Sequence, residues 1–186
     1  MHLLVEIYPF FLLKRNNFFK ELLDFFNQHN SKGIVSTEME GGFVDRFDLI
    51  RKEKNKDYLP ASLSAQLSTE EKKEQYERMA QEIKKYGFNL NLAPVVDLYY
   101  KNAFLNRENR TFSNNKESVV ENADLFIKAM HKYGVRTALK HFPGLGGATG
   151  DPHKSELQHN DDFFKIDELN VYKELMKKNH VDAILT

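Results

Sequence analysis

The side chains best suited to chemistry are concentrated in one stretch of the chain, "KHFPGLGGATGDPH" (140–153). Lys140 and His141 open it, four glycines and two prolines follow, and Asp151 and His153 close it, two positions apart. Glycine and proline allow a loop to turn sharply and to approach a ligand closely. A carboxylate beside an imidazole fixes the ring tautomer and raises its basicity, so this aspartate–histidine pair could act as an acid/base.

Two other interpretations of the stretch remain open from the residues alone. Asp-x-His is a short pattern, so a surface loop in which two histidines occur by chance fits it as well. A metal site is the second alternative, with the possible ligands His141, Asp151, His153 and His159. Their spacing matches no standard zinc motif, and no His-Glu-x-x-His sequence occurs. The residues alone therefore leave an acid/base histidine and a surface loop both open, with no metal or cofactor expected.

Two earlier loops also carry charged side chains that suit a polar ligand. The segment "STEMEGGFVDRF" contains Glu38, Glu40 and Arg46 around a Gly-Gly turn. The segment "RENRTFSNN" contains Arg107 and Arg110. Carboxylates and guanidinium groups form strong charge-assisted hydrogen bonds with polar ligands. Ordinary salt bridges in the first loop and a helix entry in the second, with Asn114 or Asn115 as N-cap, are the alternatives.

Composition narrows the class of protein. The 186 residues include 27 basic and 27 acidic side chains, and this balance argues against electrostatic binding of nucleic acid. The sequence has no run of about 18 apolar residues, so we expect no membrane span. It has no cysteine, which excludes disulfides, thiolate zinc sites and cysteine nucleophiles. We expect one cytoplasmic domain over residues 1–186; the pattern of a signal peptide is missing, and the oligomeric state is not predicted.

Predicted strands and helices alternate along the chain. The strand candidates are rich in apolar and β-branched residues and lie at 33–37, 88–98, 135–142 and 181–186, with "HLLVEI" as a further candidate near the start. The helix candidates share an apolar face and lie at 16–30, from Ser68 to Gly87, from Val119 to Met130, and after a capping Asp167. The charge run at 51–57 is interpreted as a solvated loop.

This alternation predicts an α/β protein built from parallel βα units. A doubly wound sheet and a (β/α)8 barrel are the two candidate architectures. The first strand-to-helix turn has no glycine fingerprint, which argues against a doubly wound nucleotide binder. Polar residues follow the strands in "TEMEGG", "APVVD" and "KHFPG", as they do at the C-terminal face of a barrel. We therefore predict an incomplete (β/α)8 TIM-type barrel whose C-terminal strands are missing.

The polar motifs, taken in order, resemble those of family 3 glycoside hydrolases, in the β-N-acetylglucosaminidase (β-hexosaminidase) branch. The resemblance rests on "EMEGGFVDRF" (38–47), "APVVDL" (93–98), "RTF" (110–112), "KHFPGLG" with the following "DPH", and "DAIL" (182–185). It extends over nearly the whole chain. It implies a barrel enzyme without a cofactor that removes terminal N-acetyl-β-D-glucosamine, typically from cell-wall muropeptides. Such enzymes retain the anomeric configuration through a covalent glycosyl-enzyme intermediate.

The same resemblance implies roles for individual residues. It makes His153 the proton donor and later the base, with Asp151 as its partner. It also implies a set of positions that bind the sugar, namely Glu38, Arg46, Arg110, Lys140 and His141.

The chain departs from the family pattern within these motifs. The departures include Glu38 where the family has Asp, Phe43 for Arg, Leu145 for His and Pro152 for Ser. The nucleophile of the family is an aspartate on a later strand, which the sequence does not reach. We therefore expect this chain alone to form no covalent intermediate. A non-catalytic saccharide-binding remnant is the alternative, whereas a family 3 β-glucosidase should lack the Asp-x-His pair.

Overall fold

The computed structural model of the protein describes residues 4–6, 21, 24–26, 28, 29, 33–51, 58–145, 147–150, 166–178 and 181–186. The strands are β1 (Leu4–Glu6), β2 (Ile34–Thr37), β3 (Met39–Gly41), β4 (Val44–Asp45), β5 (Leu90–Asn91), β6 (Arg136–Leu139) and β7 (Ala183–Ile184). The helices are α1 (Asp48–Arg51), α2 (Ala61–Ser64), α3 (Thr69–Lys85), α4 (Phe104–Arg107), α5 (Lys116–Lys132) and α6 (Ile166–Lys177). Within the described part of the chain, no helix is long and apolar enough to cross a membrane.

Five of the strands form one parallel sheet in the order β1-β2-β5-β6-β7. Each parallel strand therefore lies beside the next parallel strand along the chain, and the order never reverses. A doubly wound sheet reverses its order at a switch point, whereas a (β/α)8 barrel adds every strand on the same side. The described residues thus form an open portion of a barrel, and the predicted fold class is confirmed.

Helices α3 and α5 pack side by side on the sheet because each has one apolar face. From α3 the buried residues include those predicted for its apolar face, Tyr76, Met79, Ala80 and Ile83. From α5 they include Val119, Ala123, Phe126, Ile127 and Met130. The rings of Tyr76 and Phe126 meet edge to face between the two helices, with centroids 5.0 Å apart. Full burial of each large apolar side chain stabilises the fold by about 1.5–3 kcal/mol.

The ends of the helices follow the predicted signals in most cases. Ser68 and Glu71 form the complete capping box at the start of α3, and Asn115 caps α5 by accepting a hydrogen bond from the Ser118 N–H. Asp167 differs from the prediction, because the described helix α6 begins at Ile166 and the aspartate lies within its first turn. There a carboxylate still favours the helix by interacting with its dipole. The helix predicted at 16–30 is present at each of its described positions.

The strand predicted at 88–98 is much shorter in the structure. Only Leu90–Asn91 pairs continuously, and beyond it a single bridge joins Val95 to Lys140. Pro94 explains the break, because proline has no N–H to donate to a neighbouring strand. The β3–β4 hairpin was predicted only as a polar loop. Of the charge run predicted as a solvated loop at 51–57, Arg51 instead ends α1 and pairs with Asp45, Asp48 and Glu82, and the remaining residues lie outside the described part of the chain.

Candidate functional site

Charged side chains meet at the C-terminal ends of β2 and β6. Glu38 follows β2 directly and Lys140 follows β6 directly. The Lys140 Nζ lies 2.6 Å from Glu38 Oε1 and 2.5 Å from Glu40 Oε1, and the lysine side chain is fully buried. Glu38 and Glu40 are two positions apart in extended chain, so their side chains leave the backbone on the same face. Both carboxylates therefore reach one ammonium group.

Arg110 completes the buried part of the network that Lys140 forms with Glu38 and Glu40. Its Nε and Nη2 donate to the two oxygens of Glu40, at 2.8 and 2.9 Å. Burial alone would raise the pKa of Glu40, but Lys140 and Arg110 outweigh it and lower that pKa below its ordinary value. Burial likewise opposes the charge of Arg110, and Glu40 overcomes this and raises the pKa of the guanidinium. Glu40 and Arg110 are therefore both charged at neutral pH.

Glu38 and Arg46 form the part of the network that reaches solvent. Arg46 donates to Glu38 Oε2, and the side chains are 52% and 23% exposed for Arg46 and Glu38 respectively. Burial raises the pKa of Glu38, but the charges of Lys140 and Arg46 outweigh this and lower it to about 2. A ligand at the mouth of the site would meet an ionised carboxylate and a guanidinium.

The low pKa of Glu38 predicts how stability depends on pH. Because its pKa falls from 4.5 to about 2 on folding, the unfolded chain binds more protons between these values. The contribution of Glu38 is complete above about pH 5 and is lost as the pH falls towards 2, at a cost on the order of 2 kcal/mol. Urea unfolding at several pH values should show a shallower acid dependence for Glu38→Gln than for the wild type. Parallel curves would contradict this assignment.

Asn91 fixes the hairpin that carries both glutamates. Its Oδ1 accepts from the Met39 N–H and its Nδ2 donates to the Met39 carbonyl, each at 2.9 Å. The Asn91 residue is 0% exposed, so these two bonds satisfy backbone groups that water does not reach. The side chain thus takes the place of a neighbouring strand for residue 39, which lies between the two carboxylates.

Asp97 and His141 form a second pair at the same end of the sheet. Asp97 Oδ2 accepts from His141 Nδ1 at 2.8 Å and from the His141 backbone N–H at 3.0 Å. Its Oδ1 accepts from the Leu145 N–H at 2.5 Å. The Asp97 side chain is 0% exposed and that of His141 is 24% exposed. The imidazole is therefore fixed by the hydrogen bond at Nδ1, which leaves its Nε2 on the side away from Asp97.

The structure places the five predicted sugar-binding residues in this one region. Their assignment to sugar binding remains a prediction, and Arg110 in particular has two of its five N–H donors occupied by Glu40. Sequence reasoning noted Glu40 without giving it a structural role, and it missed the positioning groups Asn91 and Asp97. Two signals could have found them: Asn91 is a polar residue within an apolar strand, and Asp97 lies in a motif that follows a strand.

The predicted catalytic residues Asp151 and His153 lie outside the described residues, as does His159. Within the described segments, no three histidine, aspartate or glutamate side chains are grouped so that they could hold a metal ion.

The network is chemically suited to a neutral polar ligand. Its acidic members are Glu38, Glu40, Asp97 and Glu108, and its basic members are Arg46, Arg110 and Lys140. The network therefore carries no net positive charge that a phosphate could neutralise. Among the described residues, the Nε2 of His141 has no protein partner, and since this side chain is 24% exposed it can bind a ligand.

A model of the glycosyl hydrolase family 3 N-terminal domain matches residues 23–186 of the chain. The chain belongs to this family. The matched region includes every charged residue of the network.

A curated relative supports the same assignment, and solved structures share the fold. A Beta-hexosaminidase of Photobacterium profundum is 31% identical over 154 residues, which cover 82% of this family 3 chain. The match covers 44% of that relative, so the chain spans less than half of its length. NagZ from Neisseria gonorrhoeae, in complex with N-trifluoroacetyl-D-glucosamine, superposes with a TM-score of 0.77 at 22% identity, covering 97% of this chain and 53% of NagZ. Zinc-bound CbsA from Thermotoga neapolitana superposes with a TM-score of 0.79 at 23% identity, covering 98% of this chain and 38% of CbsA. These structures share the fold.

Proposed function

We propose that this chain binds the terminal N-acetyl-β-D-glucosamine of a cell-wall saccharide such as a muropeptide. In this proposal it is the saccharide-binding part of a retaining β-N-acetylhexosaminidase of family 3. The observation that carries the proposal is the group of partly exposed polar side chains, Glu38, Arg46 and His141, at the barrel face where enzymes of this fold place their sites. The relatives named Beta-hexosaminidase support the substrate class. The expected cytoplasmic location belongs to the same proposal.

The chemistry of the site matches a sugar ring. Hydroxyl groups both donate and accept hydrogen bonds, so they pair with a carboxylate, a guanidinium and an imidazole at once. Glu38 offers a partly exposed acceptor, Arg46 an exposed donor and His141 a ring nitrogen. Hydrogen bonds to charged groups are worth about 1.5–3 kcal/mol each. A neutral saccharide thus gains strong hydrogen bonds without leaving a charge unpaired.

The reaction itself is proposed from the family resemblance. His153 would protonate the leaving-group oxygen and later activate water, while Asp151 would orient its ring. The aspartate nucleophile expected of the family would be supplied by a later strand.

The first test measures saccharide binding by the ¹⁵N-labelled chain. N-acetylglucosamine and glucose are titrated separately, and binding is monitored by NMR. We expect N-acetylglucosamine to shift the signals of the network at concentrations at which glucose does not. Arg46→Gln should weaken that binding about tenfold or more, since a charged hydrogen-bond donor at the mouth is lost. Arg78→Gln is the matched control: Arg78 is a similarly exposed arginine, 45% against 52%, that pairs with Glu74 on the outer face of α3.

Equal responses to the two sugars, or equal effects of the two arginine variants, would contradict the proposed function. Hydrolysis is a separate readout, measured with a chromogenic N-acetyl-β-D-glucosaminide. Binding without turnover by this chain is the expected result. Specific turnover would show that the nucleophile is already present.

A further inference from the structure

We propose that Asp97 is the positioning residue of the saccharide site. It holds the ring of His141 in the tautomer with a proton on Nδ1, so that Nε2 acts as a hydrogen-bond acceptor for one saccharide hydroxyl. The inference deepens the proposed function and rests on it for the identity of the ligand. The state of the imidazole can be measured without any ligand, which separates the two.

The tautomer follows from the hydrogen-bonding pattern. Asp97 Oδ2 lies 2.8 Å from His141 Nδ1 and 3.0 Å from the backbone N–H of the same residue. An ionised carboxylate can only accept hydrogen bonds, so the ring nitrogen facing it must carry a proton. In a neutral imidazole the other nitrogen is then bare and accepts.

The carboxylate is rigidly held and shielded from water. The neighbouring Val96 N–H donates to the Lys140 carbonyl at 2.8 Å, and the Lys140 N–H donates to the Pro94 carbonyl at 3.3 Å. Asp97 Oδ1 is occupied by the Leu145 N–H at 2.5 Å. Asp97 is 1% exposed. With both oxygens engaged and no access to solvent, the carboxylate cannot turn away, and the ring orientation is determined before a ligand arrives.

The same contacts link the imidazole to the glycine-rich loop. Asp97 accepts hydrogen bonds from the backbone N–H groups of His141 and Leu145. One carboxylate therefore joins the start of the loop to its turn. The ring of Phe142 packs edge to face on Tyr172 of α6, with centroids 5.3 Å apart. Loss of the carboxylate would release both the ring and the turn.

An acceptor at Nε2 makes a specific demand on the ligand. The hydroxyl that meets it must donate its proton. A fluorine in place of that hydroxyl can accept weakly but cannot donate, so a deoxyfluoro sugar should bind no better than the deoxy sugar. If Nε2 carried a proton instead, the fluoro sugar would retain part of the affinity.

The first experiment measures the ring nitrogen ¹⁵N shifts of His141 in the labelled, ligand-free chain. We expect a protonated Nδ1 and a bare Nε2 in the wild type. Asp97→Asn should abolish this state, since an amide of the same shape has one acceptor oxygen and cannot accept hydrogen bonds from all three N–H groups. Asp182→Asn is the matched control: Asp182 Oδ2 also pairs with an imidazole, at 2.6 Å from His131 Nε2, and with a backbone N–H, at 2.9 Å from Thr137. It lies before β7, at the opposite end of the sheet, and should leave His141 unchanged.

The second experiment titrates the chain with deoxy and deoxyfluoro analogues of N-acetylglucosamine, one position at a time. We expect one position at which both analogues lose about tenfold or more in affinity. In Asp97→Asn, the parent sugar and its two analogues at that position should bind with similar affinity. An Nε2–H ring in the wild type would overturn the proposal, and it does so even if Asp97→Asn does not fold. A fluoro analogue that binds like the parent at every position at which the deoxy sugar is weak would also overturn it. An Nδ1–H ring in a chain that binds no saccharide would overturn the proposed function while supporting the control of the tautomer by Asp97.

Discussion

Replacing Glu40 with glutamine is expected to lower the free energy of unfolding by about 3–5 kcal/mol. The Glu40 side chain is only 5% exposed and lies between Lys140 and Arg110, whose charges it neutralises. Glutamine has nearly the same shape, but its NH2 group must face one of the two cations. The variant therefore leaves the buried guanidinium of Arg110 with only its 3.5 Å contact to Glu108, in a region of low dielectric constant, while Lys140 keeps Glu38.

Urea unfolding of the chain at neutral pH measures this loss. Glu108→Gln is the matched control, because Glu108 contacts the same guanidinium at 3.5 Å but is 38% exposed. Exposed ion pairs contribute about 0–1 kcal/mol, so the control should change stability little. Similar losses in the two variants would mean that burial of the pair does not control its contribution.

Replacing Gly41 with alanine is expected to destabilise the chain by about 2–5 kcal/mol and to abolish saccharide binding. Gly41 has a φ of +92°, and a Cβ there would lie 2.5 Å from the Leu59 carbonyl oxygen. A left-handed backbone costs a non-glycine residue about 1–2 kcal/mol, and overpacking adds about 1–3 kcal/mol. The obstacle is backbone, which the Gly42 N–H bond to the Tyr58 carbonyl holds at 2.7 Å, so it cannot rotate away. The hairpin carrying Glu40 would have to move.

Gly134→Ala separates the two causes. Gly134 also has a positive φ, +71°, but the nearest atom to its Cβ would be the Lys84 Nζ, 3.8 Å away. Only the backbone term of about 1–2 kcal/mol should apply, and N-acetylglucosamine binding should be unchanged. Unfolding and NMR titration of both variants measure these effects. Wild-type affinity in Gly41→Ala would show that the site does not depend on the position of the hairpin.

Local patterns were sufficient for the long helices and for the class of fold, whereas the short helices α1, α2 and α4 were not predicted. The apolar faces of α3 and α5, the capping box at Ser68 and the alternation of strand and helix depend on residues close in sequence. The rule that barrel sites follow strands also brought Glu38 and Lys140 to attention. The family motifs added the remaining predicted residues. These features can be predicted from the sequence because each depends on interactions between residues that are close together along the chain.

Local patterns misjudged the segments whose structure depends on distant neighbours. The predicted strand at 88–98 pairs continuously only at Leu90–Asn91, and a loop was expected where β3 and β4 form a hairpin. Asn91 supports that hairpin through bonds to Met39, 52 positions away. No periodicity in either segment records that bond.

The pairing of charges is the feature that required the folded chain. Lys140 pairs with Glu38, which lies 102 positions away in the sequence, and Asp97 pairs with His141, which lies 44 positions away. A sequence shows which cations and carboxylates exist, but the order and register of the strands select the partners. Burial then sets the strength of each pair, because the same two charges attract more strongly away from water. The residue types of the site were thus readable from the chain, whereas the pairing of its charges and the orientation of its imidazole arise from packing between distant segments.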